Sequence, residues 1–124
     1  MDKSRPILVV EDDDDVRDAM VEVLQAEGYD TVPAVDGVEA VGHLEAGLEP
    51  CLILLDLMMP RMSGWQFIEH DVVRASQAPI VVMSAYGTGD EMQSAGVAAY
   101  MRKPVDVEVL LGVIARHTAA GARA

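Results

Sequence analysis

One run of residues narrows what this chain can become more than any other. It is Cys51-Leu52-Ile53-Leu54-Leu55-Asp56-Leu57-Met58-Met59, bounded by Pro50 and Pro60. Apolar character that is continuous rather than alternating fits a strand covered on both faces, as in the middle of a parallel sheet. Asp56 interrupts the run where the strand would end. That is the carboxyl edge, where open α/β sheets hold their ligands. Taken alone, the stretch fits equally well an aspartate that only caps the next turn.

The rest of the chain supplies the context. Pro6 to Val10 reads as a strand that stops at the acidic run Glu11 to Asp15. Val16, Ala19, Met20, Val23 and Leu24 recur at helical spacing, with Asp13 or Asp14 as cap and Gly28 as stop. Tyr29 to Val35 reads as a strand placed at an edge by Pro33. Asp36-Gly37 reads as a turn before a short helix, Val38 to Ala46. A helix from Trp65 to Ala75 follows the central run. Pro79 to Met83 is a buried strand ending at Ser84. Glu91 to Ala95 makes at most a short fourth helix. Val97 to Arg102 is the last strand, and a stripe of Val107, Leu110, Leu111 and Ile114 marks a final helix to about Thr118, with a frayed tail beyond it.

Five strands alternating with five helices predict a doubly wound, flavodoxin-like α/β fold with a parallel sheet and right-handed crossovers. The edge character of the second strand points to the order 2-1-3-4-5. The 124 residues suit a single domain, with an ordered core over about 5–118. In that order the ends of strands one, three, four and five are neighbours. They bring together Glu11 and Asp12, Asp56, Ser84 and Lys103, at the point where the winding direction reverses.

Two carboxylates about 5 Å apart repel by roughly 3 kcal/mol at an effective dielectric near 20. Three together call for a cation or for protons. A hard divalent ion such as Mg²⁺ fits, since it accepts one or two carboxylates and phosphate oxygens while keeping several waters. Lys103 and Ser84 can then hold the other oxygens of a phosphoryl group, with Asp56 as nucleophile. A flavin module of the same topology would need a neutral, glycine-rich first loop, and this one is acidic. An aspartyl phosphatase would carry a second Asp two residues after the nucleophile as general acid, and Met58 stands there.

Four segments, in order, resemble the receiver domain of two-component response regulators. They are Ile7-Leu8-Val9-Val10-Glu11-Asp12, then Asp56-Leu57-Met58-Met59-Pro60 with Met62-Ser63-Gly64, then Met83-Ser84-Ala85, then Tyr100-Met101-Arg102-Lys103-Pro104. The resemblance implies that Asp56 accepts a phosphoryl group from a sensor histidine kinase or a histidine phosphotransfer protein. It implies Mg²⁺, or Mn²⁺, held by Glu11, Asp12, Asp56 and the backbone carbonyl of Met58. It assigns Ser84 and Tyr100 as switch residues, Lys103 as the partner of Asp56 or of a phosphoryl oxygen, and Lys103–Pro104 as a cis peptide. Such a chain is no classical enzyme; it catalyses only its own aspartyl phosphorylation and dephosphorylation. The alternative is a receiver-like interaction module that never takes phosphate. Glu11 stands where many relatives carry Asp. The segment from Ser84 to Lys103 is shorter than usual, which puts the family's usual output face in question.

Charge bears on partners. Lys and Arg total 9 against 21 Asp and Glu, a formal net charge of -12. Such a surface repels phosphate backbones and argues against direct nucleic-acid binding. The first residues are polar and no apolar run spans a bilayer, so a cytoplasmic protein without membrane contact is expected. No output domain follows the last helix, which fits a free-standing regulator or a fragment of a larger regulator or hybrid kinase. Cys51, the one cysteine, begins a buried strand and reads as a packed thiol. His43, His70 and His117 read as surface residues on helices. The downstream target is not encoded in any motif.

Overall fold

The computed structural model describes residues 5–59, 61–85 and 96–123. The elements are β1 (Ile7–Val10), α1 (Asp14–Ala26), β2 (Thr31–Ala34), α2 (Gly37–Glu45), β3 (Leu52–Asp56), α3 (Gly64–Glu69), α4 (Asp71–Ser76), β4 (Ile80–Ser84), β5 (Ala99–Arg102) and α5 (Val107–Arg123). The strands form one parallel sheet in the order β2-β1-β3-β4-β5, the order expected from the sequence.

Side chains of a strand alternate between faces, and here each face meets its own helices. Leu8, Val10, Ile53, Leu55 and Val82 pack with Ala40, Val41 and Leu44 of α2, Phe67 of α3 and Val73 of α4. Ile7, Val9, Leu52, Leu54, Val81 and Met83 pack with Leu24 of α1 and with Leu110 and Ile114 of α5. Two covered faces explain why the central strand is apolar at every position before Asp56. Pro33 lies on β2, which pairs with β1 and is the edge of the sheet formed by the described residues.

Caps fix where the helices begin. Asp13 accepts from the Val16 N–H at 3.1 Å to start α1. Ser63 and Gln66 form a reciprocal capping box at α3, with bonds of 3.2 and 3.0 Å. Gly28, at φ 91°, takes the left-handed turn after α1.

Two expectations are corrected. The helix read over Trp65 to Ala75 is two short helices. His70 between them is extended (φ -68°, ψ 138°), and its Nδ1 accepts from the Val72 N–H at 3.2 Å, so the imidazole caps α4. The spacing of Phe67, Ile68, Val72 and Val73 imitates one continuous stripe, which hides the break. The last helix runs on to Arg123 rather than ending near Thr118, through a tail rich in alanine, the strongest helix former. The short helix expected over Glu91 to Ala95 lies outside the described residues. Among the described residues, no helix is long and apolar enough to cross a membrane.

Candidate functional site

Register builds the site. Val10 pairs with Leu55, so Glu11 follows β1 beside Asp56, the last residue of β3. Asp56 pairs with Met83, so Ser84 lies one step beyond it on β4. Ser84 pairs with Arg102, so Lys103 comes next, and its N–H donates to the Ser84 carbonyl at 3.0 Å. Each position sits at a strand end because the next residue turns into a loop.

Lys103 Nζ donates to Glu11 Oε1 at 2.8 Å and lies 3.5 Å from Asp56 Oδ2. Glu11 is fully buried, Asp56 is 5% exposed, and Asp12 is open to solvent. Glu11, Asp12 and Asp56 each offer a carboxylate oxygen within 4.8 Å of the other two. Among the described residues, one ammonium therefore pairs with two carboxylates while a third lies beside them.

The proton affinities follow from that imbalance. Burial pushes the Glu11 carboxyl up, the Lys103 hydrogen bond pulls it down, and the charge of Asp56 pushes it up again, leaving it above the usual glutamate range. Asp12, though open to solvent, is also raised, first by partial desolvation and then by its neighbour Glu11. Burial works against the Lys103 ammonium, but Glu11 and then Asp56 outweigh it and hold the lysine above its ordinary range. Carboxyls whose proton affinity is raised at a shared site are those a hard cation would relieve. An oxygen donor set with one solvent-facing member also suits an ion that keeps waters.

The remaining expected site residues lie on or just after β3, β4 and β5. Met58 is exposed, and its N–H donates to Asp56 Oδ1 at 3.3 Å. Ser84 is fully buried at the end of β4. Tyr100 is half-buried on β5, paired with Val82, and packs against the cluster under α2 to α4. The Lys103–Pro104 peptide is cis. His43 and His117 lie on helices, while His70 serves as a cap instead.

Three supporting residues escaped the sequence reading. Arg17 on α1 donates to the Glu11 carbonyl at 2.9 Å, tying the helix to the strand end. Its i,i+3 pairing with Asp14 was visible as helical spacing. Asp36, read as a turn residue, is 3% exposed and caps α2, with Oδ1 accepting from the Glu39 N–H at 2.9 Å. Its Oδ2 accepts from Arg61 Nε at 2.7 Å and lies 2.6 Å from Arg61 Nη2. Burial pushes Asp36 up, but the Glu39 amide and the Arg61 guanidinium together hold it below the usual aspartate range. The pattern Asp36-x-x-Glu39 was a legible cap signal, whereas nothing local announces Arg61.

The model of the response regulator receiver domain matches residues 7–115. The response regulator protein FleR of Pseudomonas aeruginosa is 36% identical over 114 residues, which cover 90% of this chain and 24% of FleR. Sporulation initiation phosphotransferase F of Bacillus subtilis is 29% identical over 114 residues, covering 90% of this chain and 91% of its own length. The DNA-binding regulator RpaA of Synechocystis is 36% identical over 111 residues. The chain thus spans 24% of FleR and 45% of RpaA. A CheY-like receiver domain structure from Methanospirillum hungatei superposes with a TM-score of 0.87 at 25% identity, covering 96% of this chain and 97% of that one. A receiver protein structure from Pseudomonas putida gives 0.80 at 32% identity, covering 90% and 97%.

Proposed function

The chain belongs to the response regulator receiver domain family, and from that premise we propose that it is a switch whose Asp56 takes a phosphoryl group from phosphohistidine. The donor is a sensor histidine kinase or a histidine phosphotransfer protein. The observation that carries this reading is the meeting of Glu11, Asp12 and Asp56 oxygens within 4.8 Å, with Lys103 Nζ 3.5 Å from Asp56.

In this reading an Asp56 carboxylate oxygen attacks phosphorus in line. The P–N bond breaks, and its electron pair returns to the imidazole nitrogen of the donor. Lys103, already between two carboxylates, pairs with a phosphoryl oxygen, and the Ser84 hydroxyl donates to another. Glu11, Asp12, Asp56 and the Met58 carbonyl would hold Mg²⁺ or Mn²⁺. When bound, the ion supplies positive charge against the phosphoryl oxygens. Water attacking phosphorus later frees Asp56 as the leaving carboxylate. Phosphorylation shifts the population between two arrangements of Ser84 and Tyr100, and a downstream protein reads the difference. The net charge of -12 keeps that output on proteins rather than nucleic acid or membrane. A kinase that spends ATP places the chain in the cytoplasm.

Incubation with Mg²⁺ and acetyl phosphate is expected to add one phosphoryl group, seen by intact mass. An Asp56→Asn variant should take none. Equal labelling of that variant would reject the assignment, and an unlabelled wild type would favour the phosphate-independent module. Beryllium fluoride should move the resonances of Ser84 and Tyr100, and unchanged shifts there would reject the switch.

A further inference from the structure

The loop after Asp56 carries Met58, whose N–H donates to Asp56 Oδ1 at 3.3 Å, and something must hold that loop in shape. Its base is closed by the Gly64 N–H, which donates to the Leu57 carbonyl at 2.8 Å. Only glycine fits there, since a Cβ on Gly64 would stand 2.6 Å from Leu57 Cα and 3.0 Å from the Asp56 carbonyl oxygen. The far side of the loop is fastened to a different element. Met62 lies so close to Gly37 that a Cβ there would stand 2.9 Å from its sulfur. Beside it the Arg61 guanidinium grips Asp36 through two nitrogens, at 2.7 and 2.6 Å. Arg61 holds a left-handed backbone (φ 66°), a conformation that a side chain other than glycine adopts only when its surroundings require it.

We propose that Asp36 and Arg61 are positioning residues for the acidic site. Their ion pair clips the loop carrying Met58 onto the start of α2 and so sets how tightly the site takes a divalent cation. This rests on the reading that Glu11, Asp12, Asp56 and the Met58 carbonyl hold Mg²⁺. Neither residue touches the cation or the phosphoryl group. Asp36 does two jobs with separate oxygens, capping the helix with Oδ1 and holding Arg61 with Oδ2.

That division gives clean variants. Asp36→Asn keeps a good capping side chain and loses the charge. Arg61→Gly removes the guanidinium and relieves the backbone. Arg61→Lys keeps a cation on a long stem. Mg²⁺ affinity is read by calorimetry and by the amide shifts of Glu11, Asp12 and Met58. Asp36→Asn and Arg61→Gly should each weaken Mg²⁺ binding about tenfold, the low end of what removing supporting partners of metal ligands costs. The double variant should lose no more than the worse single one, and Arg61→Lys should recover part of the loss. Ile114→Val, a packing change on the opposite face, should lower the melting temperature and keep wild-type affinity. If wild type binds Mg²⁺ and both single variants bind it equally well, the positioning role is overturned. It is overturned too if Ile114→Val weakens binding as much as they do. If wild type itself binds no Mg²⁺, the underlying reading of the site fails instead.

Discussion

Two buried carboxylates in this molecule have opposite fates, and each meets a cation. Asp36 is gripped by Arg61 and capped by the Glu39 amide, and its carboxyl is held below the usual range. Glu11 meets Lys103 at 2.8 Å, yet its carboxyl is raised because burial and Asp56 outweigh that bond. The local chemistry is alike; the surrounding charge is not. At Asp36 one cation answers one carboxylate. At Glu11 one cation pairs with two carboxylates, and the carboxylate of Asp12 lies within 4.8 Å of both. A buried acid with a full set of partners holds structure together. A buried acid left in surplus negative charge marks a place made to receive something positive or to give up that charge in a reaction.

The sharpest way to break this comparison is to take the cation from each side. Lys103→Met leaves Glu11 and Asp56 without their shared ammonium. We expect a loss of about 2–3 kcal/mol at neutral pH, below the full cost of breaking a buried pair because Lys103 reaches solvent. Millimolar Mg²⁺ should recover much of it in urea titrations. A loss that ignores Mg²⁺ would mean that the lysine merely packs.

Next in size is Asp36→Ala, which removes a cap and an ion pair together and is expected to cost about 2 kcal/mol. Asp13→Ala removes a cap that pairs with no cation among the described residues and should cost about 1 kcal/mol. Equal costs would show that Arg61 adds nothing to Asp36. Mg²⁺ should not restore either variant by the margin seen for Lys103→Met.

The finest contrast lies in pH. Glu11 titrates above its ordinary value of 4.5 in the folded chain. Its contribution to stability therefore grows as pH falls through the folded value, is complete below 4.5, and is lost as pH rises. Asp36 titrates below its ordinary value of 3.8, so its contribution is full above 3.8 and is lost as pH falls through the folded value. Glu11→Gln should flatten the first trend and Asp36→Asn the second, in urea midpoints followed from neutral pH into acid. Changes in slope of the same sign in both variants, measured against wild type, would contradict the assignment.

The same contrast explains what the sequence could tell. Asp56 was legible because a lone carboxylate ends an uninterrupted apolar strand. Glu11, Ser84 and Lys103 were legible because each follows its own apolar strand, and sheet order then made them neighbours. The cap at Asp36 was available in Asp36-x-x-Glu39 and went unread, because Asp36-Gly37 looks like a turn. The partnership with Arg61 had no local sign: the two residues are joined only once the loop after β3 folds over α2. The break at His70 was hidden for a related reason, since an imidazole acting as a cap has the spacing of an ordinary helical residue.

The most direct test of the surplus-charge claim is a Mg²⁺ titration of the wild-type chain followed by amide resonances. The account predicts one saturating transition that moves Glu11, Asp12 and Met58 and leaves Asp36 and Arg61 nearly still. Shifts centred on Asp36, or no saturation at any site, would contradict it.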